Sequence, residues 1–240
     1  MDTTSYLALA RQVTLQRHMA TLATNIANAT TSGYRAQHTV FEQVLQRAGD
    51  AGQLAFVQDV ALARDLSPGP VEQTGNPLDV ALDGSGYLGF ATPAGTRYGR
   101  SGRLELDAEG RLVGPEGHPV LDDGGNPITL PADDLPVTVG PDGTISGRSG
   151  PLARLGIVGF AHEQALERVG DGLLAATEAP VPAAGTRVVQ GALEGSNVQP
   201  VVEMTAMLET VRAFEGTQKL LDTEHELERQ AIERTIRTAA

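Results

Sequence analysis

The last forty-odd residues restrict this chain more than any other stretch. After Pro200 no proline occurs up to Ala240, and the apolar residues keep a helical spacing. Val201, Met204, Leu208 and Val211 stand three, four and three apart, and Met207, Val211, Phe214, Gln218 and Leu221 keep the same rhythm. Such a stripe is the seam of a helix that lies lengthwise on another helix. Ser196 or Asn197 is expected to cap it, Ser196 with Gln199 fits a capping box, and Pro200 belongs in a first turn whose N–H groups lack partners anyway. Glu215 with Lys219 and Glu233 with Arg237 are i,i+4 pairs that mark a solvated face. Gly216 is the one interruption, at a cost of about 1 kcal/mol relative to Ala. Some forty residues at a rise of about 1.5 Å give a rod of roughly 60 Å, longer than a domain of this size is wide. Part of the stripe therefore needs partners from outside its own domain.

The N-terminus predicts a second helix. Thr3 to Ala29 lacks Gly and Pro, and Leu15, Met19, Leu22 and Ile26 stand four, three and four apart. Asn25 and Asn28 are weak helix formers, and Thr30-Thr31-Ser32-Gly33 ends the helix, with Gly33 free to take a left-handed conformation. Two terminal helices with the same spacing allow a hairpin within one chain or a coiled-coil core shared between subunits. Residues 34–77 read as an extended connector, in which Val40–Ala48 accommodates a helical turn or two and Ser67–Pro70 turns. From Leu78 to Gln190 the period becomes two. Leu78–Leu82, Tyr87–Ala91, Arg103–Leu106, Leu155–Phe160 and Thr186–Gln190 read as strands, and Val137–Ser146 as a hairpin around Asp142-Gly143. The expected fold class is α+β. Terminal helices in 1–33 and 196–240 would pack as a coiled-coil-like unit, with an antiparallel β domain over 78–195.

Charge and composition narrow the function. Eighteen basic against thirty acidic residues leave a net charge of −12, and all the basic residues but Lys219 are arginine. That balance argues against nucleic-acid binding, which draws on clustered positive charge. Without cysteine there is no disulfide framework and no thiolate nucleophile. No run approaches the 18 or so apolar residues of a membrane span, and Met1-Asp2-Thr3-Thr4-Ser5 does not read as a cleavable signal.

Few motifs suggest chemistry. Gly84-Ser85-Gly86-Tyr87-Leu88-Gly89 matches G-x-G-x-x-G, but strand-like residues follow it where a dinucleotide site needs a helix, so it reads as a glycine-rich hairpin. Asp122–Asn126 lacks the alternating ligands of a calcium loop. The five histidines show no metal-ligand spacing, and Asn28-Ala29-Thr30 fits a glycosylation pattern but falls at the end of a helix. No catalytic, cofactor or metal residue is expected.

Four stretches, in order along almost the whole chain, resemble the axial proteins of the bacterial flagellum, the rod and hook family. Leu22–Arg35 is similar to the family's A-N-N-L-A-N-x-x-T-x-G-[FY] signature, and Asn76–Tyr87 to its L-D-V-A-I-x-G-x-G-F strand and turn. Tyr98-Gly99-Arg100-Ser101-Gly102 stands where Y-T-R-x-G is usual, and Gln190–Val198 resembles Q-G-x-L-E-x-S-N-V. Thr24 replaces the first Asn of the Asn pair, and Gly99 the usual Thr. Within the family, the length and the Arg35-Ala36-Gln37 run look most like proximal-rod members; distal-rod members are the alternative.

The resemblance implies a structural subunit of the periplasmic rod, exported by the flagellar export apparatus without signal cleavage. Its partners would be other rod subunits and further copies of itself, with no cofactor, no nucleic acid and no membrane insertion. The assembly residues it implies are Leu15, Met19, Leu22, Asn25, Ile26 and Asn28 on the first helix. On the second they are Asn197, Val201, Met204, Leu208, Val211, Phe214 and Leu221. Two other classes compete: a secreted β-domain binding protein on a coiled-coil stalk, which would form a closed trimer, and a hydrolase with paired carboxylates in a β cleft.

Overall fold

A computed structural model describes residues 3–47, 53–183 and 185–239. They divide into two compact units, one from Met1–Ala27, Gln37–Ala63 and Gln199–Ala240, the other from Asn28–Ala36 and Arg64–Val198.

The first unit is built on helices α1 (Thr3–Ala27) and α2 (Pro200–Ala239). The first helical bond of α2 runs from the Glu203 N–H to the Gln199 carbonyl (3.1 Å), so Pro200 enters the first turn, where it lacks no bond. The expected cap moves accordingly: the Ser196 hydroxyl accepts from the Val198 N–H (3.2 Å), outside the helix, and Asn197 is engaged elsewhere. The two helices lie alongside each other. Asn25 meets Glu203, while Leu7, Ala8 and Arg11 line a groove with Ala213, Gly216, Thr217 and Leu220, which makes them antiparallel. Buried or half-buried positions recur every seven residues, at Ala8, Leu15 and Leu22 on α1 and at Glu203, Thr210 and Thr217 on α2. Four threonines, Thr14, Thr21, Thr210 and Thr217, donate their hydroxyls to the carbonyl four residues back (2.7–3.2 Å). Polar atoms are thereby satisfied within each helix.

Strands β1 (Gln37–Arg47) and β2 (Gln53–Arg64) pair as a two-stranded sheet. The helical turn expected from Val40 is therefore corrected; Ala48, where it was to end, lies outside the described residues. Thr39, Val40, Phe41 and Val44 are β-branched or aromatic, and a paired ladder realises that preference.

The second unit is a set of small antiparallel sheets. Its strands are β3 (Val71–Gln73), β4 (Val80–Asp83), β5 (Tyr87–Thr92), β6 (Gly95–Gly99), β7 (Glu105–Leu106), β8 (Leu112–Val113), β9 (Thr138–Val139) and β10 (Thr144–Gly147). There follow β11 (Gly150–Arg154), β12 (Ile157–Gly159), β13 (Glu167–Gly170), β14 (Leu173–Ala175), β15 (Val181–Pro182), β16 (Arg187–Gln190) and β17 (Ala192–Glu194). Six of them form one sheet in the order β13-β14-β6-β5-β12-β15, and β11-β10-β9 form a second. β4 pairs with β16, β3 with β17 and β7 with β8, so the strands at the start of the unit are closed by those at its end. The expected hairpin is present, with Val139 opposite Ile145 and Gly143 at φ +84° in the turn. Val80, Leu82, Leu88, Phe90, Leu104, Leu112, Val120, Ile128 and Ile145 belong to the main core. At Gly102 a Cβ would fall 1.7 Å from the Val80 carbonyl oxygen, while the Val80 N–H donates to the Gly102 carbonyl (2.9 Å). Only glycine lets these two backbones approach so closely.

Candidate assembly interface

Each helix of the first unit has one face against its partner helix and another left open. On α2 the open face carries Val201 (77% exposed), Met204 (51%) and Leu208 (60%), while Val202, Leu227 and Ile236 are exposed on its flanks. On α1 it carries Tyr6, Leu9 and Val13, three and four apart. Scattered exposed apolar residues are ordinary, but three on two successive turns of one helix make a patch. Covering a Val, Leu or Met side chain contributes about 1.5–3 kcal/mol. α2 has 40 residues against 25 in α1, so α1 cannot shield it along its length.

The residues expected at the interface fall into three groups. Val201, Met204 and Leu208 are exposed. Leu15, Met19, Ile26, Val211, Phe214 and Leu221 are half-buried, and Leu22 is buried. Asn25 is fully buried: its Nδ2 donates to the Gln37 carbonyl (2.8 Å) and to Glu203 Oε2 (3.0 Å), and its Oδ1 accepts from the Gln37 N–H (3.0 Å). It holds the start of β1 and one carboxylate of α2 within the first unit.

Asn28 and Asn197 belong to the second unit. Asn28 Oδ1 accepts from the Thr31 hydroxyl (3.2 Å). Asn197 Oδ1 accepts from the Ala36 N–H (2.7 Å), and its Nδ2 donates to the carbonyls of Asp65 (3.1 Å) and Ser67 (2.9 Å). It fastens two separate stretches of backbone, which is why it does not cap α2.

Arg100 and Glu194 form a buried ion pair that apolar spacing does not reveal. Arg100 Nε and Nη2 contact Glu194 Oε2 at 2.7 and 2.5 Å. Nη2 also donates to the Leu82 carbonyl (2.9 Å), and Nη1 donates to those of Gly84 (2.9 Å) and Gly86 (2.6 Å). All five donors of the guanidinium are used, which offsets the cost of burying both charges. The Glu194 carbonyl in turn accepts from the Gly33 N–H (2.8 Å) and the Ser32 hydroxyl (2.9 Å). At Gly33 (φ +69°) a Cβ would meet the Arg100 backbone at 2.6 Å. The four motif stretches thus meet at one buried ion pair, and the Gly84–Gly89 run supplies it with carbonyl acceptors. The available signal was one charge in each of two otherwise uncharged stretches, Tyr98–Gly102 and Gly191–Leu193 with Glu194.

A second charged cluster lies in the same unit. Tyr87 Oη donates to Glu163 Oε2 (2.7 Å), and Arg35 Nη1 approaches the same oxygen at 3.3 Å. Burial pushes the Tyr87 hydroxyl up to about 12, against the pull of Arg35. Burial also holds Arg64 below the usual guanidinium range, with Arg168 and Arg35 adding to the effect against Tyr87. Among the described residues no group of three or more His, Cys, Asp or Glu could hold a metal ion, and no helix is long and apolar enough to cross a membrane.

Comparison with known proteins places these features. The family described as flagellar hook protein FlgE/F/G D1 domain matches residues 81–147, and flagellar basal body rod FlgEFG protein C-terminal matches residues 189–234. Across its length the chain is 39% identical to the flagellar basal-body rod protein FlgF of Caulobacter vibrioides, over 240 residues and 98% of each chain. The chain belongs to the flagellar basal-body rod proteins. Another rod protein, FlgF of Salmonella typhimurium, is 33% identical over 96% of this chain and 97% of its own. The rod protein FlgG of Bacillus subtilis is 27% identical over 95% and 97%. The rod-protein match at 189–234 takes in Glu194 and the exposed Val201, Met204 and Leu208, and the one at 81–147 takes in Arg100.

Proposed function

We propose that this chain is a non-catalytic structural subunit of the proximal part of the flagellar rod, a shaft in the periplasm that transmits torque. Full-length similarity to FlgF carries the reading, since the FlgF of Caulobacter vibrioides aligns over 98% of both chains. The open apolar faces of α1 and α2 support it: in a subunit that lives in an assembly they are covered by further rod subunits or copies of this chain, and the helices form a coiled-coil-like core there. Contacts of one patch on a different patch of the next subunit propagate into a helical tube instead of closing. The subunit reaches this place through the flagellar export apparatus. Higher identity to the two FlgF chains than to the Bacillus subtilis FlgG favours the proximal over the distal rod.

Deletion of the reading frame followed by imaging of isolated basal bodies tests the proposal. Rods truncated near their base, with no swimming, are expected, and both are restored by the gene in trans. Normal rods in the deletion strain would refute it. A purified chain that forms only closed trimers would favour the stalked binding protein.

A further inference from the structure

We infer that the second unit holds a binding site for a small oxyanion, a phosphate-like or carboxylate group, in the cavity walled by Tyr34, Arg35, Arg64, Tyr87 and Arg168. The inference stands apart from the assembly reading and rests on this cavity alone. The cavity measures about 410 Å³. Three guanidinium groups line it, from Arg35 and Arg64, both buried, and from Arg168, half-buried and stacked on the Tyr34 ring at 4.3 Å. In each of the three the Nε–H is buried and finds no hydrogen-bond partner among the described residues.

The acids nearby do not account for these charges. Glu163 already takes the Tyr87 hydroxyl and Arg35 Nη1 on one oxygen. Arg64 turns its Nη groups to neutral acceptors, the carbonyls of Glu163 (3.0 Å) and Leu166. Glu116 and Asp171, the acids of the lining itself, are exposed, and Asp171 faces His118 at 3.6 Å. Three positive charges therefore meet one half-buried carboxylate. Arg100 in the same unit shows the alternative, with its carboxylate in place and all five donors used. Buried charges are paired as a rule, and unsatisfied buried donors in a native fold call for an explanation. A planar guanidinium fork suits an oxyanion with two parallel hydrogen bonds. The stack on Tyr34 fixes the plane of Arg168 in advance.

Titration of the purified full chain with inorganic phosphate at constant ionic strength tests the site, by calorimetry and by the arginine Nε–H signals of ¹⁵N-arginine-labelled protein. One saturable event is expected, with three arginine signals moving along the same isotherm. The Arg168→Met variant, its fold checked by its melting curve, should bind about tenfold to a hundredfold more weakly, as for loss of a charged hydrogen bond. Sodium acetate run in parallel separates the sources: saturation by phosphate marks a tetrahedral anion, and saturation by acetate alone marks a carboxylate such as a polypeptide supplies. The inference is overturned if neither anion saturates the signals below about 10 mM, which corresponds to negligible affinity. It is overturned equally if a well-folded Arg168→Met binds as tightly as the parent. The wild-type arginine spectrum decides the matter even if the variant does not fold.

Discussion

Replacing Arg100 by Met removes the centre of the ion pair on which the four motif stretches meet. The substitution keeps length and apolar bulk, so what it takes away is the charge and five donors. Glu194 would remain nearly fully buried, with the Gly69 N–H (3.2 Å) still donating to it, and the carbonyls of Leu82, Gly84 and Gly86 would each lose a donor. Removing one partner of a buried pair costs about 3–5 kcal/mol, and the stranded carbonyls push the value to the upper end. Against a total stability of about 5–15 kcal/mol that is a large share, and it corresponds to a fall in Tm of roughly 6–20 °C for a chain of this size. Urea melts followed by circular dichroism measure it, with an unchanged m-value showing that stability alone has moved. The double variant Arg100→Met with Glu194→Leu should recover part of the loss, since an apolar pair replaces a buried ion pair at little cost. An Arg100→Met chain within about 1 kcal/mol of the parent, or a double variant as unstable as the sum of the singles, would refute the reasoning.

Three further outcomes follow from particular contacts. Asn25→Ala removes the group that satisfies both backbone atoms of Gln37 and donates to Glu203; a loss of about 2–3 kcal/mol is expected in urea melts, with Asn25→Asp worse at neutral pH because it sets two carboxylates together. Gly102→Ala drives a methyl group into the Val80 carbonyl at 1.7 Å, and the β unit should fail to fold, as judged by loss of its near-ultraviolet dichroism. The Tyr87 hydroxyl is pushed up to about 12 by burial, above an unfolded value of about 10. Its contribution is therefore whole below pH of about 10 and is lost as the pH rises towards 12, so Tyr87→Phe should flatten the loss of stability across that interval.

The elements that could be read from the chain are those with a strong local cause. α2 follows from its spacing and from Pro200 at its start, and α1 from a stretch free of glycine and proline. The β9–β10 hairpin follows from Asp142-Gly143. Strands of two residues, such as β7 and β8, carry too little sequence to show a period, and they exist because of what lies across from them. The β1–β2 pair is not legible in the chain because Gln53–Leu66 has no period of its own. At the candidate site the apolar spacing located the helix faces but did not divide them: Glu203, Thr210 and Thr217 turn towards α1, while Val201, Met204 and Leu208 stay open. A threonine whose hydroxyl bonds to its own helix is effectively a small apolar residue, and a hydropathy pattern does not register this. Arg100 and Glu194 stand 94 positions apart, and no local pattern links them.

The central claim is that the open face of α2 finds its cover in neighbouring subunits. Met204→Asp combined with Leu208→Asp tests it most directly, because both side chains are more than half exposed and lie outside the helix-helix contact. Basal bodies isolated from cells that carry only this double variant should lack the chain and swimming should cease, while the purified variant melts as the parent does. Incorporation into rods at the parental level, with swimming intact, would contradict the account.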